Sequence, residues 1–274
     1  MKVAVTGASG FIGTALCRRL RAEGHEVAAI SLRSHTALRL TDAVAVVHLA
    51  GIAHRRTSAA ELRRVNTELA REVGHAAAAA GAHMIFMSSI KVHGEESEAP
   101  LHVASAFNPQ DEYAASKLRA EQALRGIASL RLTVIRPPLV YGPFVKANFL
   151  ALLKAVSRGW PLPLASIVNR RSFLYVENLA DLVVHCLRGT PAQSAAYLPC
   201  DGEPLATPQL CRELAQALQR PARLVPFPPR LLELLPGGRR LTRSLYVEPQ
   251  ELAWRPPTAR SAALRATAHW FSGR

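Results

Sequence analysis

Cysteine is scarce in this sequence of 274 residues, and no long apolar run occurs in it. The four cysteines have no C-x-x-C spacing, which argues against a metal site or a disulfide framework and predicts buried, reduced thiols. No apolar run reaches the roughly 18 residues that a membrane span needs. The first residues, MKVAVTG, lack the ordered regions of a secretion signal. These absences predict a cytoplasmic protein without a membrane span and without a metal. The cysteines are Cys17, Cys186, Cys200 and Cys211.

Acidic residues and lysines are also few. The chain has 34 basic residues against 20 acidic ones, for a formal net charge of +14, and only five of the basic residues are lysines. An excess of arginine suits a phosphate-bearing partner. The arginines are scattered through predicted helices and do not form one basic block with interleaved aromatic residues, so no nucleic-acid partner is predicted. A solvated arginine-rich surface is the alternative interpretation.

Apolar runs alternate with helical patterns through the first half of the chain. The runs are apolar on both faces and are separated by helices, which is typical of a parallel sheet covered on both sides. The predicted fold class is therefore α/β, a doubly wound parallel sheet of the Rossmann type. The predicted strands are VAVTG, EVAAIS, AVAVVHLAG, MIFMSS and RLTVIRP, and the predicted helices cover about 11–23, 59–80 and 112–125.

The composition of the sequence changes after RPPLVYGP, where prolines become frequent. We expect residues 1–160 to form a dinucleotide-binding Rossmann domain and residues 161–274 to form mainly a small C-terminal substrate lobe. The chain is expected to cross back to the sheet around residues 170–190. Within the lobe, ATPQL predicts a helix that Thr207 caps and in which Pro208 takes the first position.

A glycine-rich turn, TGASGFIG, follows the first predicted strand and opens the first predicted helix. In such a turn Gly7 permits the sharp bend, Gly10 lets a pyrophosphate approach the helix N-terminus, and Gly13 allows close packing of helix and strand. The strand–turn–helix context favours a dinucleotide site over a merely tight turn.

The end of the second predicted strand bears on the choice of cofactor. A carboxylate there binds the adenosine ribose, whereas a basic residue accommodates a 2′-phosphate. This chain has ISLRSH, with Ser31 and Arg33 and no acid. NADP(H) is therefore favoured over NAD(H), although Arg33 is also one of 29 arginines on a basic protein.

The stretch YAASK pairs a tyrosine with one of the rare lysines. With five tyrosines and five lysines, about 0.09 Tyr-x-x-x-Lys pairs are expected by chance. On a helix this spacing puts Lys117 on the same face as Tyr113, where its charge is expected to lower the pKa of the phenol. Ser88 and Ser89 follow the fourth predicted strand, at the sheet edge where such folds bind ligands. A hydroxyl there can hold the oxygen of a carbonyl during hydride transfer.

These motifs together resemble the short-chain dehydrogenase/reductase superfamily, in its extended branch that acts on nucleotide sugars. The resemblance covers residues 1–271 and includes VVHLAG, RVNTELA, SSIKVHGE, RPPLVYGP, NRRSFLYVENLADLV and LAWRPPT. It implies that Ser89, Tyr113 and Lys117 form the catalytic triad and that Lys117 also holds the nicotinamide ribose. Asn66 is implied to support the site.

The resemblance also implies which residues bind the ligands. Lys91, Asn148 and Arg171 are the expected substrate contacts, and Arg171 suits a diphosphate because a guanidinium binds phosphate oxygens bidentately. The expected cofactor-binding residues are Gly7, Gly10, Phe11, Ile12, Gly13, Arg33, Leu49, Ala50, Gly51, Asn66, Lys117 and Pro137.

The sequence departs from the family pattern in two places. Only 12 residues lie between Ser31 and Val44, so the third, edge strand is predicted to be missing. His93 stands where tyrosine or asparagine is common, and we interpret it as a loop residue near the site, with a proton relay as the alternative. His48 is expected to be a satisfied core histidine.

The most similar family members imply chemistry at C4 of a nucleotide-diphospho-sugar. They are bacterial polysaccharide enzymes that either reduce UDP-4-keto-hexoses and hexosamines or epimerise UDP-hexoses at C4. Arg33 and the absent acid favour reduction with NADPH over epimerisation with retained NAD. A non-catalytic cofactor-binding scaffold is a third hypothesis, because fold alone does not fix function. The helices near Ala59 and Glu112 often pair in this fold, which predicts a homodimer.

Overall fold

A computed structural model describes residues 1–31, 40, 42–53, 57–189, 194–248 and 254–273. Its strands are β1 (Lys2–Thr6), β2 (Glu26–Ile30), β3 (Ala45–His48), β4 (His83–Met87), β5 (Leu132–Ile135), β6 (Leu139–Tyr141), β7 (Phe173–Tyr175) and β8 (Ser194–Tyr197).

The helices follow the strands in alternation through the first half of the chain. They are α1 (Phe11–Ala22), α2 (Ala59–Leu62), α3 (Leu69–Ala79), α4 (Glu112–Arg125), α5 (Ala147–Ser157), α6 (Val176–Arg188), α7 (Thr207–Ala217), α8 (Pro229–Glu233), α9 (Arg239–Thr242) and α10 (Arg260–Ser272). A π-helical segment, Arg63–Glu68, joins α2 to α3, and a 3-10 turn, Ile90–His93, follows β4.

Six strands form one parallel sheet in the order β2-β1-β3-β4-β5-β8. Its central strands are apolar on both faces, as the sequence indicated. Val3 and Val5 face a core that contains Leu16 of α1, whereas Ala4 faces the opposite core. The sheet is therefore covered by α1 and α6 on one side and by α3 and α4 on the other, which confirms the doubly wound α/β prediction.

The later part of the chain builds a second layer and also returns to the sheet. β6 and β7 form a separate parallel pair, next to a core that gathers residues of α5, α7 and α10. The chain then contributes α6, which packs on α1, and β8, which pairs with β5. How the chain divides into a cofactor domain and a substrate lobe near residue 160 stays a prediction.

Two local features bear on the sequence predictions. In the described part of the chain β2 pairs only with β1, and most of the segment in which the edge strand was predicted to be missing lies outside the described residues. The predicted Thr207 cap is wrong, because α7 begins at Thr207 itself and the cap residue is Ala206. The Thr207 hydroxyl donates instead to the Leu241 carbonyl, at 2.7 Å. Pro208 still lies in the first turn, where its missing N–H costs nothing.

All four cysteines are buried free thiols. Among the described residues, no helix combines the length and the apolar character that crossing a bilayer requires.

Candidate functional site

The glycine-rich turn brings α1 close against the end of β1. Gly7 has a φ of +70°, and a Cβ there would lie 2.8 Å from the Ala50 nitrogen. A Cβ on Gly13 would lie 2.2 Å from the Gly7 carbonyl oxygen. Both positions therefore need glycine, one for its backbone conformation and both for the close approach. The turn has the geometry that the sequence predicted.

The N-terminus of α1 is open to an anion. Gly10 is its cap residue and makes no side-chain hydrogen bond to the first turn, which contains no acidic residue. The first N–H groups of a helix have no intrahelical partner and carry the positive end of the helix dipole. The N–H groups of Phe11 and Ile12 are thus suited to a pyrophosphate. This cradle, which any side chain at Gly10 would crowd, fits a dinucleotide.

The segment after β3 lines the same edge of the sheet. Ala50 N donates to the hydroxyl of Thr6 at 3.3 Å, and Leu49 N donates to the carbonyl of Thr6 at 3.2 Å. A Cβ on Gly51 would lie 3.0 Å from Asn66 Oδ1 and 3.2 Å from Lys117 Nζ. Gly51 is therefore the point at which three predicted site residues meet.

Asn66 lies inside the π-helical segment, within a stretch that the sequence predicted as one continuous helix. Its side chain accepts from Ile52 N at 2.8 Å and donates to Ile52 O at 3.1 Å. It also donates to Ser116 Oγ at 2.9 Å, and Ser116 Oγ donates in turn to the Tyr113 carbonyl. Single π turns in helices occur often at functional sites. Here the π segment carries an amide that connects the β3 loop to α4.

The three predicted catalytic residues come together at the carboxyl end of β4. Ser89 caps the 3-10 turn, and Tyr113, which is half-buried, hydrogen-bonds to its side chain. Lys117 is buried, donates to the Met87 carbonyl at 2.9 Å, and lies 4.9 Å above the Phe86 ring. The arrangement provides a hydroxyl pair with an ammonium group behind it.

The pKa values at this site differ from the expectation. Burial raises the pKa of Tyr113 to about 12, and Asp111 adds to the rise while the hydrogen bond with Ser89 opposes it. The expected lowering by Lys117 is therefore wrong for this structure, because removal from water outweighs the effect of the neighbours. Burial also lowers the pKa of Lys117 to about 8, against the charge of Glu121. Tyr113 is consequently protonated at neutral pH.

A buried ion pair that sequence reasoning missed lies directly behind the triad. Arg136 and Glu121 are fully buried and form a bidentate ion pair. Arg136 Nη2 donates to Glu121 Oε2 at 2.6 Å, and Arg136 Nε donates to Glu121 Oε1 at 3.0 Å. Ser88 donates to the same carboxylate at 2.5 Å. The next residue, Pro137, accepts from Ile90 N at 3.0 Å. No local spacing marks this pair, because its two members lie 15 residues apart, on α4 and at the end of β5.

The two histidines have different environments. Arg136 Nη1 lies 3.1 Å from His93 Nε2, and because a guanidinium only donates, this nitrogen must accept. His93 Nδ1 then donates to Ala106 O at 3.1 Å. His93 is buried at the end of the 3-10 turn and does not lie in an open loop, and because both ring nitrogens are occupied the geometry gives no support to a relay.

His48 is fully buried, with Nδ1 2.9 Å from Thr6 Oγ1. Its Nε2 has no hydrogen-bond partner among the described residues, so the expectation of a satisfied core histidine is only half met. Burial lowers the pKa of His48 to about 3, and the charge of Lys117 adds to this effect.

The predicted substrate residues lie in three separate segments of the chain, and Arg33 lies outside the described residues. Lys91 Nζ is 2.5 Å from Glu95 and 2.9 Å from Asp111. Arg171 Nη1 donates to the Arg243 carbonyl at 3.0 Å, and burial lowers the pKa of Arg171 to about 10. Asn148 is exposed in the first turn of α5.

Arg240 is a cation that the sequence analysis did not single out. Its Nη2 lies 3.0 Å from Glu95 Oε1, and its charge acts on the pKa of Arg171. Burial raises the pKa of Glu95, but the hydrogen bonds from Lys91 and Arg240 outweigh this effect and lower the pKa to about 2. Nothing in the local sequence marks Arg240, because it comes from α9, far along the chain.

Comparison with known proteins agrees with this geometry. Residues 3–196 match the model of the NAD dependent epimerase/dehydratase family. A UDP-glucose 4-epimerase of Vibrio cholerae is 34% identical over 98% of this chain and 95% of its own length.

Two solved structures share the fold at lower identity. A Thermus thermophilus UDP-glucose 4-epimerase in complex with NAD has a TM-score of 0.78 and 23% identity, over 100% of this chain and 99% of its own. A human epimerase family protein with NADPH has a TM-score of 0.80 and 22% identity, over 98% and 99%. The family match and the full-length relative together show that this chain is an enzyme of the NAD-dependent epimerase/dehydratase family.

Proposed function

We propose that this protein is an NAD(P)-dependent oxidoreductase acting at C4 of a nucleotide-diphospho-sugar, and that it reduces a UDP-4-keto-hexose or hexosamine. The observation that carries the proposal is the hydrogen-bonded pair of Ser89 and Tyr113, with Tyr113 protonated and Lys117 buried one helical turn further along α4. A proton donor at neutral pH is what reduction of a carbonyl requires.

Each residue of the triad has a distinct role in this proposal. Ser89 and Tyr113 donate hydrogen bonds to the C4 oxygen and so stabilise the negative charge that develops on it. Tyr113 gives its proton to that oxygen, which becomes the product hydroxyl. Lys117 stabilises the phenolate that remains until a proton from water restores it. The nicotinamide, when bound, supplies the hydride in a reduction and takes and returns it in an epimerisation.

The residues of the glycine-rich turn and the segment after β3 would hold the cofactor. Phe11 and Ile12 N–H would bind the pyrophosphate, and Lys117, next to Gly51 and Asn66, would hold the nicotinamide ribose. NADP(H) is the proposed form, on the sequence evidence of Arg33 and the missing acid after β2.

The basic side chains around Glu95 and Asp111 would bind the diphosphate of the substrate. Lys91, Arg171 and Arg240 gather around Glu95 and Asp111, which leaves positive charge in excess. Arg171 is protonated at neutral pH, since its pKa is about 10. An arginine pair can grip two phosphates bidentately, which a lysine cannot. Asn148, on α5, is the proposed polar contact on the sugar nucleotide.

Epimerisation at C4 is the second candidate, and one observation favours it. A relative that matches nearly the whole chain is a UDP-glucose 4-epimerase of Vibrio cholerae. The same three residues would then act twice, with Tyr113 taking a proton from the C4 hydroxyl and later returning it. The two functions differ in cofactor use, since an epimerase retains its cofactor and a reductase consumes it.

Substitution of Tyr113 tests the catalytic assignment. Tyr113→Phe deletes only the hydroxyl, so we expect turnover to fall by about a hundredfold or more while cofactor binding is retained. Tyr246→Phe is the matched control, because the Tyr246 hydroxyl donates to the Glu98 carbonyl, away from the triad. Steady-state kinetics and a fluorescence titration of the cofactor measure the two effects. Near-normal turnover of Tyr113→Phe would rule out its role.

The absorbance near 340 nm and titrations with NADPH and NADH separate the candidates. Preference for added NADPH, reduced in Arg33→Ala, supports the reductase. Copurified NAD that does not exchange supports the epimerase. Binding of neither cofactor would favour the non-catalytic scaffold.

A further inference from the structure

The short helix α8 and the turn that follows it expose three leucines to solvent. Leu231, Leu234 and Leu235 are 50%, 79% and 60% exposed, while Leu232 between them is buried. Leu231 lies in α8, whereas Leu234 and Leu235 follow its last residue in a turn, where Leu235 N donates to the Leu232 carbonyl at 3.0 Å. We refer to Leu231, Leu234 and Leu235 as the leucine face.

The leucine face continues into a larger apolar surface. Val225 N donates to Leu162 O at 2.9 Å, and Leu162 N donates to Arg223 O at 2.8 Å, so segment 223–227 lies beside segment 162–166. Trp160, 53% exposed, and Val168, 95% exposed, lie just beyond the two ends of the latter segment. The described residues include 13 large hydrophobic side chains that are exposed, and eight of these lie in 160–168 and 225–241. Such concentration marks an interaction surface, whereas single exposed apolar residues are ordinary.

Most of the charged residues in this part of the chain are arginines. Residues 220–243 contain six arginines and a single acid, Glu233. Among the described residues, no carboxylate lies within salt-bridge distance of four exposed arginines there. They are Arg158, Arg220, Arg223 and Arg230.

One of these arginines also contacts the apolar surface. The Arg158 guanidinium lies 5.1 Å from the centre of the Trp160 ring. Such a pair suits an interface between an apolar and an anionic layer, because the indole ring can enter the apolar layer while the guanidinium contacts the anionic one.

We propose that this surface docks on an anionic phospholipid bilayer. The leucine face and Trp160 enter the interface, and the unpaired arginines contact lipid phosphates, as in interfacial amphipathic segments. A second copy of the chain is a poorer occupant, because a two-fold interface places the same arginines against each other. The proposal rests on this surface alone and does not depend on the reaction that the enzyme catalyses.

Vesicle sedimentation tests the proposal, with a design that separates charge from apolar contact. A protein of net charge +14 is attracted to any anionic surface, so the informative variant keeps the charge. We expect the wild type to bind phosphatidylglycerol–phosphatidylcholine vesicles and to retain part of that binding in high salt. Leu234→Ser/Leu235→Ser should weaken the partition coefficient by about tenfold.

The matched control is Val44→Ser/Val103→Ser, which removes two exposed apolar side chains elsewhere and should bind as the wild type does. Circular dichroism checks that both double variants are folded. Absence of vesicle binding, or equal binding by the leucine variant in high salt, would overturn the proposal. Self-association of the wild type that the leucine variant loses, without vesicle binding, would instead identify a second copy as the occupant.

Discussion

Gly13 illustrates how one missing side chain positions a cofactor site. Its α-carbon faces the Gly7 carbonyl so closely that an added Cβ would lie 2.2 Å from that oxygen, and 2.8 Å from Ala8. These contacts are to backbone atoms, which cannot rotate away as a flexible side chain could. The distance between α1 and the end of β1 therefore depends on this position being glycine.

Gly13→Ala should lower the free energy of unfolding by about 2 to 4 kcal/mol, since a buried backbone clash must be relieved by a shift of α1. Cofactor affinity should fall with it, because the same shift moves the N–H groups at the start of α1. Gly189→Ala is the control, as its Cβ would meet nothing within 4 Å. Urea unfolding and cofactor titration measure both effects, and a stable, tightly binding Gly13→Ala would contradict this account.

Helix α4 organises the site at the scale of an element. Tyr113, Lys117 and Glu121 recur every four residues along one side of it, and Ser116 on the adjoining side reaches Asn66 of the π segment. The helix begins where Asp111 accepts from Ala114 N at 2.7 Å. The proposed proton donor, its cation and the buried carboxylate are thus fixed relative to one another by helical geometry alone.

The pair of Glu121 and Arg136 should behave as a coupled unit joining α4 to the end of β5. Arg136→Met leaves a buried, unpaired carboxylate, and Glu121→Gln leaves a buried, unpaired guanidinium, so each should cost about 3 to 5 kcal/mol. Glu121→Gln/Arg136→Met should cost less than the sum of the two. Urea unfolding of the four proteins in a double-mutant cycle measures the coupling. Additive losses would mean that the two charges do not stabilise each other.

The stability of the whole molecule depends on pH through buried groups, one of which, His48, lies close to Lys117 of the site. Burial lowers the pKa of His48 to about 3 and that of His83 to about 4, both below the value of about 6.5 in an unfolded chain. Between those values the unfolded chain binds more protons, so stability falls as the pH falls. Burial raises the pKa of Asp201 to about 6, which acts in the opposite direction between about pH 6 and pH 4.

The lowered pKa values of His48 and His83 outweigh the raised pKa of Asp201. Together they predict that the free energy of unfolding falls by a few kcal/mol on acidification from about pH 6.5 to pH 4. His83→Asn should flatten this slope, because asparagine can keep a hydrogen bond to Thr133 without titrating. His102→Asn, at an exposed histidine, should leave it unchanged. Urea unfolding at a series of pH values measures the slope. An equal slope in wild type and His83→Asn would assign the acid sensitivity to other groups.

Much of the secondary structure and two of the site motifs could be predicted from the sequence, because they depend on residues that are close together in the chain. Apolar runs such as VAVTG and helical spacing depend on neighbours within a few residues, so β1 to β5 and the helices between them were predictable, whereas β8, the sixth strand of the sheet, was not among the predicted strands. The glycine turn and YAASK were equally readable, since one needs glycine at fixed positions and the other is a single turn of helix.

The tertiary structure decided what depends on burial and on distant partners. The pKa of Tyr113 rises because the fold removes it from water, a quantity that no spacing encodes. Arg136 meets Glu121, and Arg240 meets Glu95, across 15 and 145 residues of chain. The sequence therefore determined which chemical groups the site contains. Only the folding of the chain determined their charge states and the ion pairs behind them, because both depend on solvent exclusion and through-space distance.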